Sequence, residues 1–238
     1  MGSLADETYD AIRTKILDHE ISPGEHVGID ELARELAVSQ TPIREALARL
    51  ESDGLVTKIP LRGYEATDLL SVAQFDQLFR FRAVIEPWAA AAASCRRADD
   101  DLEALQAELL RAELIDRSSG TATADFVEHD SRFHALVARA SGNGWVEDSF
   151  VRTHCHLHLF RVYTATFGSE STGGSFVRSM FAEYYQNGAT PLALAEHRQI
   201  VSAITAGSDD RAGELMLSHI ESSRQRFIPA LQALSSTS

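Results

Sequence analysis

Cysteine, positive charge, long apolar runs and flexible linkers are all scarce in this chain. Its two cysteines, Cys95 and Cys155, lie far apart with no CxxC pair between them. A disulfide framework is therefore not expected, and both should be reduced thiols. No apolar run is long enough to span a membrane, and no basic segment followed by a hydrophobic stretch opens the chain. A soluble, cytoplasmic protein is expected. Lys and Arg number 22 against 35 Asp and Glu, for a net charge of −13, which on its face opposes any partner carrying phosphate. No Pro/Gly-rich linker or internal repeat is visible, and after Asp68 no segment alternates as a strand does.

What is present is enough apolar residue, 44% of 238 positions, for two modest cores. A first helix is expected over Ala5 to His19, with Tyr9, Ile12 and Ile16 on one face and Ser22-Pro23-Gly24 turning the chain after it. A second, Asp30 to Ala37, turns Leu32, Ala33 and Leu36 inward. The segment Val38 to Val56, VSQTPIREALARLESDGLV, then carries Ile43, Ala46, Leu47 and Leu50 at the spacing of one buried stripe. Thr41, Arg44, Glu45, Ala48 and Arg49 are left facing outward. Pro42 suits the first helical turn, Ser39 or Thr41 can cap it, and Asp53-Gly54 ends it. Leu55-Val56-Thr57 and Tyr64-Glu65-Ala66-Thr67 flank a basic turn containing Lys58 and Arg62, which predicts a two-stranded wing.

That order of elements is a winged helix-turn-helix, whose second helix enters the major groove of DNA. The segment PGEHVGIDELARELAVSQTPIREALARLESDGLV, and its SxTPIREAL core above all, resembles the DNA-binding domain of the GntR superfamily of bacterial transcription regulators. The resemblance implies DNA contacts at Ser39, Gln40, Thr41, Arg44, Arg49, Arg62 and Gly63, with Arg44 on a base or a deep phosphate. Many relatives carry Arg where this chain has Gln40, and glutamine favours adenine over guanine. Residues 1–67 hold seven Lys/Arg against thirteen Asp/Glu, a net −6. Arg44, Arg49, Lys58 and Arg62 are nevertheless gathered at the helix and wing, so weak non-specific affinity and salt-sensitive operator binding are expected.

From residue 68 to 238 the pattern predicts a bundle of six or seven helices, making the chain mainly α. Asp68 to Arg97 is a long helix with Phe75, Leu78, Phe79, Arg82, Ile85, Glu86 and Ala89 along one side and Pro87 placed to kink it. Further helices are expected over Asp99 to Ser118, Asp125 to Ser141, Trp145 to Phe167, Ser175 to Asn187, Pro191 to Ala206 and Asp209 to Leu234, with a polar loop at Gly168 to Gly174.

Asp130 and His134 stand i, i+4 with Val127, Val137 and Ala138 on their face, whereas His129 is expected to point to solvent. His197 shares a stripe with Ile200, Val201 and Ile204, and His219 one with Ala212, Leu215 and Met216. A single inward histidine is ordinarily a hydrogen-bonded core residue, but four such groups converging on an apolar interior need a compensating cation or water.

The arrangement resembles the FCD domain, the ligand-binding domain of the FadR subfamily of GntR regulators. Its metal-binding members take Asp and His from a DxxxH helix and two further His from the last two helices. Carried over, the ligands are Asp130, His134, His197 and His219, with zinc the first choice of ion and nickel or manganese as alternatives. The resemblance implies a small organic acid as effector and a homodimer on operator DNA. Arg82, in an RxxxE pattern with Glu86, can clamp a carboxylate or form a structural pair. His154 and His158, another i, i+4 pair, can line the effector cavity, hold a rival ion or stay half-buried. Two other functions compete with effector-controlled regulation: a metalloenzyme using the His/carboxylate centre, and a regulator for which the ion is the signal. The first 67 residues weigh against an enzyme, which would not need them.

Overall fold

A computed structural model of the chain describes residues 3–116, 122–159, 161 and 189–235. The predicted loop at 168–174 and helix at 175–187 lie outside those residues, as does the end of the helix expected to reach Phe167. Contacts divide the chain into two compact units, the first running to Leu69 and including Arg161, the second beginning at Leu70. The architecture is mainly helical, with one small sheet in the first unit.

In the first unit, α1 (Leu4–Leu17) starts from a capping box in which Ser3 and Asp6 satisfy each other's backbone amides. Strand β1 (His26–Val27), α2 (Ile29–Glu35) and α3 (Gln40–Ser52) follow, then β2 (Val56–Ile59) and β3 (Gly63–Ala66). The sheet order is β1-β3-β2, antiparallel throughout, with Ile59 opposite Gly63 and Val56 opposite Ala66. Pro42 does sit in the first turn of α3, but the Ser39 side chain makes no capping hydrogen bond. Ile12, Ile16, Ile43, Ala46, Leu47, Leu50 and Leu55 are fully buried and form the core that seats α3. The hairpin turns through Leu61 and Gly63, both at positive φ. Glycine adopts this backbone readily and leucine does so only under strain.

The second unit begins with α4 (Val72–Arg96). The capping box of Ser71 with Gln74, rather than Asp68, sets its start, and the helix continues through Pro87. Next come α5 (Asp99–Glu113), α6 (Ala122–Ala140) and α7 (Gly144–Arg152). The last two are α8 (Ala189–Ala206) and α9 (Asp209–Ser235), and α9 packs against α4. Phe75, Phe79, Leu105, Phe133, Ile200, Ile204 and Met216 are buried in its core. None of the described helices is long and apolar enough to cross a membrane.

The single helix expected from Trp145 onward is broken instead. Helix α7 stops at Arg152, His154 takes the left-handed conformation with φ 45°, and helical backbone resumes over residues 155–159. The Thr153 hydroxyl donates to the Phe150 carbonyl at 2.7 Å, which closes the end of α7 with a side chain. The break rotates every later side chain out of the phase an unbroken helix would give it.

Helices α4 and α9 approach closely at Gly213, where an added Cβ would lie 3.3 Å from the Pro87 carbonyl oxygen and 3.8 Å from the Ala91 Cβ. Gly213→Ala sets a tight contact with backbone against a gain in helix propensity of about 1 kcal/mol, and little net change is expected. Gly213→Val overpacks the same gap and should cost about 1–3 kcal/mol. Thermal denaturation of the two variants beside the parent checks this, and equal melting temperatures for all three would contradict it.

Candidate metal centre and nucleic-acid interface

The interior of the second unit holds an unusual density of ionisable side chains. Helix α6 contributes Asp130 and His134, α8 contributes His197 and α9 contributes His219. One ligand-type atom from each of these four lies within 4.8 Å of the other three. All three imidazoles are buried, at 0–3% exposure. His134 Nε2 is 3.2 Å from His219 Nε2, which is 3.3 Å from His197 Nε2. Asp130 Oδ1 lies 3.3 Å from His197 Nε2 and 3.9 Å from His134 Nε2.

The outward nitrogens of the three rings are all engaged. His134 Nδ1 meets Glu86 Oε2, and His219 Nδ1 donates to Glu196 Oε2 at 2.7 Å. His197 Nδ1 lies 3.1 Å from His129 Nε2, and His129 Nδ1 in turn lies 2.9 Å from Glu108 Oε1. A carboxylate only accepts, so with neutral rings each of these nitrogens carries the proton, and the relay through His129 places one on His197 Nδ1 as well. Three Nε2 lone pairs then face one another beside a carboxylate oxygen. Neutral acceptors packed this way repel unless a positive charge stands among them. Donors about 2.0–2.1 Å from a tetrahedral ion lie about 3.3 Å from each other, so the donor set and its spacing fit a divalent ion.

The electrostatics agree with that tautomer pattern. Burial pushes His134 down to about 4 and His197 well below its ordinary range, so both are neutral near pH 7. For Asp130 burial acts upward, but the neighbouring His156, His197 and His134 outweigh it and hold the carboxyl well below its usual value. Glu86 is likewise held low against burial by Arg82 and His134.

His129 is the clearest departure from the sequence reading. Expected in solvent, it is 3% exposed and forms the link between His197 and Glu108. Phe126, His129 and Phe133 stand i, i+3, i+7, an apolar stripe that could have revealed it. Arg82 is buried and fully committed, its guanidinium bridging to Glu86 and reaching the Cys155 sulfur at 3.2 Å. It is the structural pair, behind His134. Burial pushes the Cys155 thiol up to about 11, so it stays protonated beside that guanidinium.

His154 and His158 do not reach the cluster. The histidine that does is His156, brought round by the helix break, with Nε2 2.9 Å from Asp130 Oδ2 at an angle unsuited to a hydrogen bond. A cavity opens beside the cluster, about 590 Å³ of empty space including part open to solvent. Asp130, His156, His197 and His219 stand at its polar end, while Phe126, Val127, Leu159, Leu194 and Phe227 line its body. Neither Arg82, His154 nor His158 lines it. Arg226 does.

In the first unit, Ser39, Gln40, Thr41, Arg44, Arg49 and Arg62 are exposed, and Gly63 is half-buried in the hairpin at φ 92°. Arg44 donates to Gln40 Oε1 at 3.2 Å, and the Gln40 amide nitrogen donates to Asp30. Arg49 is engaged with α1, paired with Asp6 at 2.8 Å and stacked 4.2 Å over the Tyr9 ring. Arg44 is thus the α3 cation whose hydrogen-bond partner is neutral, and the wing residues Lys58 and Arg62 are exposed as it is.

Comparison with known proteins agrees with both halves. Residues 4–65 match the family model for bacterial regulatory proteins of the gntR family, and residues 77–222 match the FCD domain. The chain is 27% identical to the Nta operon transcriptional regulator of Aminobacter aminovorans, covering 86% of this chain and 85% of that protein. It is 24% identical to the HTH-type transcriptional regulator YdhC of Bacillus subtilis, over 89% of this chain and 85% of that one. A solved GntR regulator from Rhodococcus superposes with a TM-score of 0.64 at 20% identity, covering 96% of this chain and 99% of the other, a likeness of fold. The winged first unit, the helical second unit and the two matched models together make this chain a DNA-binding transcription regulator of the GntR family with an FCD domain.

Proposed function

We propose that the protein is a cytoplasmic homodimeric regulator, acting as a repressor, whose operator affinity is set by a small carboxylate effector beside a divalent ion. The observation that carries this is the meeting of three Nε2 atoms and the Asp130 carboxylate, each ring held from behind by an acceptor. Asp130, His134, His197 and His219 would hold the ion, zinc first, with nickel or manganese as alternatives. Glu86, Glu196 and the His129–Glu108 pair fix ring orientation and raise ligand basicity. When bound, the ion supplies a Lewis-acid position for an effector oxygen. His156 keeps the Asp130 carboxylate turned into the cluster, and the apolar walls lower the polarity around it.

A sensing role is favoured over catalysis by the family and by the dedicated DNA-reading unit. Ser39, Gln40, Thr41, Arg44 and the wing's Arg62 and Gly63 would meet the operator, with Arg49 bracing α3 through Asp6 and Tyr9. The homodimer is supported by Phe81, Val84 and Trp88, an i, i+3, i+7 stripe on α4 that is 38%, 71% and 50% exposed.

Protein purified without chelator should carry one metal ion per chain by elemental analysis. His197→Gln and His134→Gln should lose it, while His158→Gln keeps it. Metal loss on replacing His158 but not His197 would place the ion elsewhere. Stripping the ion should lower the melting temperature, because an ion at about a hundredfold its Kd contributes about 2.7 kcal/mol, and re-addition should restore it. If stripping alone changes operator affinity with no organic acid present, the ion itself is the signal.

Arg44→Ala should weaken operator binding by about 1–3 kcal/mol with metal content unchanged. Gel-shift titrations over a series of salt concentrations should show affinity falling steeply with salt for the parent protein. Unaltered operator affinity in Arg44→Ala, or binding indifferent to salt, would contradict the proposed interface.

A further inference from the structure

The cavity beside the cluster has at its polar end a donor that the four ligands do not employ. His156 lines it, is 3% exposed, and its Nε2 is buried without a hydrogen bond among the described residues. Asp130 Oδ2 lies 2.9 Å away, off the direction a hydrogen bond requires. Neighbouring rings hold it in that attitude. The His156 ring stacks on that of His134, with centroids 5.1 Å apart and planes 26° from parallel, and lies 5.9 Å from the Phe150 ring. A bare lone pair this close to an ionised carboxylate would be repelled, so Nε2 carries a hydrogen. A buried N–H is costly to leave unused.

His156 does not belong to the ion's own set, whose four ligand atoms lie within 4.8 Å of one another and leave it outside. It stands instead across the Asp130 carboxylate, whose Oδ1 faces His197 Nε2 at 3.3 Å while Oδ2 faces His156. The interval from the cluster to His156 is therefore one carboxylate wide, because Asp130 already spans it. Asp130, His156, His197 and His219 all line the cavity, so a second carboxylate entering there meets an interval of the same width. Both ends of that interval are electron-poor, an ion at one and an N–H at the other. Phe126, Leu159, Leu194 and Phe227 offer apolar surface to the rest of a guest.

We propose that His156 is the second anchor of the effector: one oxygen of the guest carboxylate is held at the ion and the other accepts the His156 Nε2–H. The assignment rests on the reading of this cavity as the effector site beside an ion. It narrows the effector to an acid recognised through both carboxylate oxygens and carrying an apolar body. An amide would turn an N–H toward an N–H and is rejected. A guest held at both ends also ties the helical segment 155–159, which follows the break at His154, to the helices that hold the ion. Coordination to the ion alone would not make that link.

Butyrate and acetate carry the same head on bodies of different length, and butyramide carries the wrong head on the longer body. Calorimetric titration of the metal-loaded protein at millimolar ligand should show butyrate binding more tightly than acetate, and butyramide more weakly than both. His156→Leu, which removes the donor, should weaken butyrate and acetate by the same factor, about tenfold, with one ion per chain still bound. Equal loss for the two acids marks a lost contact to the head, whereas a reshaped cavity would change the butyrate-to-acetate ratio. His156→Gln, whose amide can donate from a similar place, should recover most of the affinity. The proposal is overturned if His156→Leu binds both acids as the parent does, if that variant changes only their ratio, or if it loses the ion, which would leave His156 serving Asp130 alone. It is equally overturned if butyramide matches butyrate or if no probe binds the metal-loaded parent. Parent protein that carries no metal would instead refute the metal-centre reading on which this one stands, and elemental analysis separates the two failures.

Discussion

Three imidazoles cannot face one another in an apolar interior unless something orients all of them at once. That orientation is what the second unit is built to supply. Each ring is fixed through Nδ1: His134 by Glu86, His219 by Glu196, and His197 by His129 backed by Glu108. Fixing Nδ1 as the donor leaves Nε2 as the acceptor, and the three Nε2 atoms turn toward one another, with Arg82 Nη2 3.4 Å from that of His134. The buried acids require partners in turn. Arg82 answers Glu86 and Arg132 answers Glu108, which is why two carboxylates with 2–3% exposure are tolerated in the core. Removing Arg82 would leave the Glu86 charge without its arginine, whereas Glu108 keeps Arg111 at 3.1 Å when Arg132 is lost.

Competition between desolvation and pairing acts on His134, His197, Asp130 and Glu86. Burial lowers the two histidines and raises the two carboxyls. For His134 and His197 desolvation wins, and the rings are neutral. For Asp130 and Glu86 the neighbouring positive charges and donors win, and the carboxylates remain ionised. Neutral imidazoles beside an ionised carboxylate are the forms in which such side chains offer lone pairs outward. The polar core is thus organised for giving electron density to a common point, at the expense of the apolar packing those positions would otherwise make.

Much of this was legible in the sequence, and the omissions share a cause. The winged domain could be read because its signals are local: Pro42 at a helix start, Asp53-Gly54 at its end, alternation on both sides of Gly63. Asp130, His134, His197 and His219 could be placed on inward faces by helical spacing alone. Of the acceptors behind them only Glu86 was on a face read as inward, paired with Arg82, because Glu108 and Glu196 look like solvated acids until the opposing helix is known. His129 was misassigned because two neighbouring stripes on α6 are both buried, so an outward face was expected where Phe126 and Phe133 also turn inward. His156 was missed for a backbone reason. His154 adopts φ 45°, which breaks the helix and changes the phase, so counting in fours from His154 led to His158. Arg226 resembles any arginine near a chain's end, and only the cavity it lines distinguishes it.

The acidity of the molecule, at first an objection to a DNA-binding role, bears on how such a regulator can be switched. A reading unit of net −6 obtains little from general attraction to phosphate, and Arg49 is already paired with Asp6. Binding energy must then come from a few groups at the helix and wing, and a lean affinity is easily tipped. A coupling of about 1–3 kcal/mol, typical of linked sites, changes occupancy from five- to more than a hundredfold. A strongly basic domain would need a far larger conformational bias to let go of the duplex, because its non-specific grip would persist in either state. Scarcity of lysine and arginine in the reader therefore suits the proposed control by a small carboxylate, since a lean interaction is one that a modest ligand can move.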